Sequence, residues 1–176
     1  MKHKLAAFNG TSSKAIAQIF EQWPCQTILD PTYGKGVFYK EMPASVQITG
    51  GDIDPAKAKD YVGDYRQLPF PDKSFDAVVI DPPYVHGGAA SKYDMDFGRM
   101  VKSNVGLIDD YVIGIKEGRR VARKLVVVKC SDAVDKSRFH PMAAMLIEKC
   151  GWPLDMIITI RTSAMSAPMW KTVQHF

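Results

Sequence analysis

The chain has 176 residues, a hydrophobic fraction of 46% and a formal net charge of +4. That length suits one domain with a sizeable core, and the composition excludes disordered and fibrous classes. No run nears the roughly 20 apolar residues of a membrane span, and nothing before Phe8 reads as a signal peptide. The three cysteines, Cys25, Cys130 and Cys150, are scattered, with no Cys-x-x-Cys or histidine cluster. Free thiols, a reducing cytoplasm and no metal are the expectation. The mild positive charge permits contact with a polyanion without requiring it. The basic residues from Lys116 to Lys124 read mostly as the solvated face of a helix.

Thr11, Ser12 and Ser13 supply N-caps for a helix whose apolar face is Ala15, Ile16, Ile19 and Phe20, closed by Pro24. Thr27 to Leu29 predicts a buried strand. It leads into Asp30-Pro31-Thr32-Tyr33-Gly34-Lys35-Gly36, a glycine turn with a helix start to follow. Backbone without Cβ atoms can approach a ligand closely at such a turn. The third glycine of the dinucleotide fingerprint and the Gly-Lys-Ser/Thr of a P-loop are both absent.

Val46 to Ile53 predicts a second strand with Asp52-Ile53-Asp54-Pro55 at its tip. A carboxylate about twenty residues past a glycine turn is placed to accept from the hydroxyls of a ribose. Asp52 and Asp54 both compete for that role. Gly63 to Phe70 follows, with Asp64 and Leu68, and then Pro71 to Ser74 as a turn. Ala77 to Ile80 is a short, fully apolar run, the mark of a buried central strand. Asp81-Pro82-Pro83-Tyr84 ends it, since neither proline ring donates to a ladder. A carboxylate, an outward carbonyl and an aromatic ring thus gather at the edge where open α/β sheets bind ligands.

His86 to about Asn104 lacks periodicity and predicts a long functional loop. Val105 to Ala122 predicts a helix with Leu107, Ile108, Tyr111, Val112 and Ile115 inward. Leu125 to Cys130 predicts a strand. Met142 to Lys149 predicts a helix stopped by Gly151, and Leu154 to Ile160 the last clear strand. Strand and helix alternate throughout, which implies a mostly parallel sheet with crossover helices in a single domain spanning residues 1–176.

The motifs resemble those of S-adenosylmethionine-dependent DNA amino-methyltransferases, small phage and bacterial DNA methylases in particular. The resemblance rests on Asp30-Pro31-Thr32-Tyr33-Gly34-x-Gly36, Asp52 to Pro55, Asp64 to Phe70, Asp81-Pro82-Pro83-Tyr84 and the strand end Lys129-Cys130. It implies a Rossmann-like class I methyltransferase fold and transfer to the exocyclic amine of adenine (N6) or cytosine (N4) in DNA. It also implies catalysis by Asp81, Pro82, Pro83 and Tyr84. S-adenosyl-L-methionine would be held by Phe8, Asn9, Gly10, Asp30, Pro31, Thr32, Tyr33, Gly34, Gly36, Asp52, Ile53, Asp54, Asp64, Leu68 and Asp81. Within that pattern Asp52 is favoured for the ribose and Asp64 for the adenine amine.

The family ends on one more strand, antiparallel to the last. Here only Val173 to Phe176 remains for it, so the sheet is either one strand short or the chain is shortened. A separate target-recognition domain is not evident, which implies relaxed specificity, a recognition partner or a homo-oligomer. Two rival readings stay open. Asp-Pro-Pro-Tyr also occurs in RNA guanine-N2 methyltransferases, although those usually carry Phe-x-Gly-x-Gly. A non-catalytic, cofactor-binding regulatory protein is the other.

Overall fold

The computed structural model describes residues 6–82, 104–135, 138–151 and 158–161. Five strands form one sheet: β2 (Thr27–Asp30), β3 (Gln47–Asp52), β4 (Tyr61–Val62), β5 (Phe75–Ile80) and β6 (Ala122–Val128). Their spatial order is β4-β3-β2-β5-β6, and all four pairings are parallel. Chain order runs one way from β2 through β3 to β4, and the other way from β5 to β6. The switch point therefore lies between β2 and β5, and a crevice opens at the carboxyl ends of strands at such a point.

The side-chain period of a strand sorts the core into two layers. Ile28, Ala77 and Val79 face one side, where Ile16 and Phe20 of α1 (Ser12–Gln22) meet them with Cys25 and Phe38. Leu29, Val78 and Ile80 face the other side. There they pack on Ile108, Tyr111 and Ile115 of α2 (Asn104–Val121) and on Met142 and Leu146 of α3 (Met142–Cys150). All of Ala77 to Ile80 is 0% exposed, as the unbroken apolar run demands.

Local signals hold at both helix ends that the sequence marks most clearly. Thr11 is the N-cap of α1, its hydroxyl accepting from the Lys14 amide at 3.4 Å. Gly151 closes α3 in the left-handed region at φ 59°, where a side chain would be strained.

Strand and helix do not alternate throughout, which corrects the expectation. The glycine turn is followed by a single 3-10 turn, Val37–Tyr39, and no α-helix. Pro43 disfavours helical backbone at Met42, so too few residues remain for a nucleus to propagate. Residues 53–60 and 63–74 link β3 to β4 and β4 to β5 without any helix. Two other features carried no sequence signal: β1 (Ala6–Asn9), which pairs in parallel with β9 (Ile158–Arg161), and the antiparallel hairpin of β7 (Ala133–Asp135) and β8 (Arg138–His140), whereas β9 overlaps the strand expected over Leu154 to Ile160.

The expected loop from His86 to 103, with Pro83 and Tyr84 before it, lies outside the described residues, as do Leu154 to 157 and the terminal stub from Val173. Among the described residues no helix is long and apolar enough to cross a membrane.

Candidate functional site

The site forms where β2 and β5 end side by side. Asp30 closes β2 and is 1% exposed. One of its carboxylate oxygens accepts from the Thr32 amide at 2.9 Å and from the Thr32 hydroxyl at 3.0 Å; the other accepts from the Tyr39 hydroxyl at 2.7 Å. Burial pushes the Asp30 carboxyl up to about 6, against the downward pull of the Tyr39 and Thr32 hydrogen bonds. Asp30 therefore lies under the turn and braces it, with its oxygens turned to the protein.

The turn above it is fixed by left-handed backbone that favours glycine. Gly34 and Gly36 sit at φ 55° and 63°. A Cβ on Gly36 would also run into the Tyr33 ring, which stacks on Tyr39 with centroids 5.9 Å apart. The same Tyr33 ring lies over Gly50 of β3, so the turn and the neighbouring strand share one aromatic filler.

Thr32 joins this turn to β5. Its hydroxyl donates to Asp30 and accepts from the Asp81 amide at 2.8 Å. Asp81, just past β5, takes the Lys129 ammonium on its carboxylate at 2.9 Å. Pro82 follows, buried. The glycine turn and the Asp81-Pro82 segment are thus fastened by a single side chain.

On the other side of β2, Asp52 ends β3. Its carboxylate accepts from the Gly34 amide at 3.1 Å and from the Asp54 amide at 2.9 Å. Ile53 beside it is 46% exposed, a large apolar side chain left facing solvent at the edge. Asp54 points away into a local turn, accepting from the Ala56 amide at 3.0 Å and pairing with Lys57 at 3.1 Å. The Ala56 amide, with Lys57, holds its carboxyl below the usual range.

Asp64 is heavily engaged. Arg66 reaches it through its amide at 2.9 Å, through Nε at 3.0 Å to both oxygens, and through a terminal nitrogen at 2.6 Å. Arg66 also donates to Asp110 of α2 at 2.9 Å. These bonds hold the Asp64 carboxyl below its ordinary value. Leu68 is 4% exposed and belongs to the core beneath the loop. Its amide donates to Glu117, and Arg120 donates to the carbonyls of Leu68 and Phe70. Nearby, the Tyr61 hydroxyl is buried without a hydrogen-bond partner among the described residues.

Of the residues expected from sequence, the structure brings Asp30, Pro31, Thr32, Tyr33, Gly34, Gly36, Asp52, Ile53, Asp81 and Pro82 to one edge. Asp54 turns aside from them and Leu68 is in the core. Phe8, Asn9 and Gly10 end β1 and lead into α1. Three contributors were missed: Tyr39, Tyr61 and Lys129. A lysine immediately past a strand adjacent to β5 was the available signal for the last. Tyr39 acts through Asp30 and Tyr33 across the fold of the glycine turn, and Tyr61 packs on Gly51 of β3.

Fold and site define an α/β protein with a five-stranded parallel sheet and an acidic, glycine-bearing edge at its switch point. No protein-family model matches the chain, and no curated protein matches it.

Proposed function

We propose that the chain transfers a methyl group from S-adenosylmethionine to the exocyclic amine of adenine (N6) or cytosine (N4) in DNA, on a Rossmann-like methyltransferase fold. The observation that carries the reading is the adjacency of the glycine turn and Asp81-Pro82 at the switch point, tied through Thr32. Motifs remote in sequence meet where a cofactor and its target must meet.

The residues present fit such a cofactor. It is cationic and carries a ribose and a purine, and the edge offers carboxylates together with the exposed Ile53. Asp52 accepts two hydrogen bonds where a carboxylate takes about four, which leaves capacity for ribose hydroxyls. The Tyr61 hydroxyl, without a hydrogen-bond partner among the described residues, is buried next to Gly51. Asp64 fits less well, because Arg66 fills its acceptor capacity and would have to yield before an adenine amine was received.

S-adenosylmethionine, when bound, supplies an electrophilic methyl group on a sulfonium. The chain supplies orientation. An exocyclic amine is a poor nucleophile because its lone pair is delocalised into the ring. The Asp81 carboxylate and the Pro82 carbonyl accept its two hydrogens and favour a pyramidal nitrogen. Fixed acceptors of this kind stabilise the positive charge that grows on the amine. Asp81 or water then takes the proton. Tyr84 stacks on a base turned out of the duplex, a role that rests on the resemblance, as does that of Pro83. Such a protein works on DNA in the cytoplasm.

The test incubates the chain with isotopically labelled S-adenosylmethionine and unmethylated duplex DNA or RNA, then identifies labelled nucleosides by mass spectrometry. Label in N6-methyladenine or N4-methylcytosine of DNA is expected. Label in RNA alone reassigns the substrate, and cofactor binding without label in either points to a regulatory protein. Asp81→Ala is expected to lower transfer at least about a hundredfold while the cofactor dissociation constant stays near that of the wild type. Undiminished transfer by that variant removes Asp81 from the mechanism.

A further inference from the structure

We infer that Lys129 is a positioning residue for Asp81, holding its carboxylate in the orientation that receives the target amine. The inference rests on the role proposed for Asp81 above. In sequence Lys129 marks a strand end that carries part of the resemblance and no role in the site; in the structure it contacts the carboxylate on which the proposed chemistry depends.

The backbone of Lys129 is held from two directions. Its amide donates to the Ile80 carbonyl at 2.9 Å, which extends the β5–β6 ladder by one rung toward the site. Its carbonyl accepts from the Tyr111 hydroxyl of α2 at 3.3 Å. A lysine stem is otherwise a flexible four-carbon chain. With its root fixed and its tip placed, its reach becomes defined. The ammonium lies 2.9 Å from Asp81 Oδ2 and 5.0 Å from the centre of the Phe38 ring, which comes from the 3-10 turn after the glycines.

Asp81 is consequently gripped from both flanking strands. Thr32, from the turn after β2, takes its amide, and Lys129, from the exit of β6, takes its carboxylate. The amide contact and the following prolines fix the main chain, but neither sets the side-chain torsions. The ammonium bond to Oδ2 constrains them and favours the rotamer seen here.

The pair is half-buried, with side chains 33% and 18% exposed, so it bears on folding as well as on orientation, and thermal melting separates the two. Orientation matters far more at a reacting centre, where a displacement of about 1 Å can cost about a hundredfold in rate.

The test compares wild type, Lys129→Met and Lys129→Arg in methyl transfer to DNA, with cofactor binding by calorimetry and thermal melting alongside. For Lys129→Met we expect kcat to fall between about tenfold and a hundredfold. KM for DNA and the cofactor dissociation constant are expected to stay within about twofold. Lys129→Arg, which keeps a charged donor, recovers most of the loss. Wild-type kcat in Lys129→Met overturns the inference and leaves the function intact. Losses of kcat that track lost cofactor affinity or lost melting temperature in both variants show a structural role and also overturn it. Should Lys129→Met fail to fold, Lys129→Gln is judged by the same criteria. A wild-type chain that labels neither DNA nor RNA overturns the proposed function and this inference together.

Discussion

At the scale of single residues, two carboxylates one strand apart behave in opposite ways. Asp52 is accessible and keeps acceptor capacity, so Asp52→Ala is expected to weaken S-adenosylmethionine binding about tenfold or more, in keeping with the loss of hydrogen bonds to a charged group. Unchanged affinity in calorimetry would remove Asp52 from the ribose role. Asp30 is sealed and titrates high. A carboxyl raised in the folded state stabilises the fold fully below its ordinary value of about 4. That contribution is lost as pH rises through about 6, an amount on the order of 2–3 kcal/mol. Asp30→Asn removes the titration and keeps the contacts: Oδ1 still accepts from Thr32, and the Tyr39 hydroxyl accepts from the new amide instead of donating. Urea unfolding between pH 4 and 7 is expected to show wild type losing stability relative to that variant as pH rises. Parallel curves would mean that Asp30 stays ionised throughout.

At the scale of elements, the amino ends of the strands are held by a second carboxylate. Asp76, 8% exposed, accepts from the Gln26 amide at 2.9 Å and the Thr27 amide at 3.3 Å, and pairs with Arg123 at 3.2 Å and Lys124 at 3.3 Å. It thereby ties β2, β5 and β6 together at the end opposite the site. The Gln26 amide, with Arg123 and the Thr27 amide, pulls its carboxyl down to about 2. A lowered value has the reverse consequence: stability present above about pH 4 is lost as pH falls toward 2. Asp76→Ala is expected to cost about 1–3 kcal/mol at neutral pH and to blunt acid unfolding, as followed by circular dichroism. The strands at this scale were legible because they are apolar runs: β2, β3 and β5 lie within two residues of their expected bounds. β4 was not, since Tyr61–Val62 is two residues long and owes its place to Gly51 and Asp52 of β3. The helix expected after Gly36 failed for a local reason, the approach of Pro43. The places of Asp30, Asp52 and Asp81 at strand ends were legible in the sequence. The Lys129–Asp81 contact was not, because it spans 48 residues of sequence and depends on the β5–β6 register.

For the whole molecule, the two layers share the same central strands. Ile28 and Leu29 are adjacent in β2, both 0% exposed, and face opposite layers. Ile28→Ala and Leu29→Ala are therefore each expected to cost about 2–5 kcal/mol and to melt in one cooperative transition. Calorimetry resolving two transitions in either variant would show the layers to be independent. The Thr32–Asp81 bond has a consequence for synthesis. Its partners are 49 residues apart, and both neighbours of β2 come later in the chain than β2 itself. A ribosome delivers the glycine turn well before the strand that fastens it. A nascent chain halted before residue 81 has the glycine turn in place and no clasp for it, so the turn is fastened only once β5 has been made.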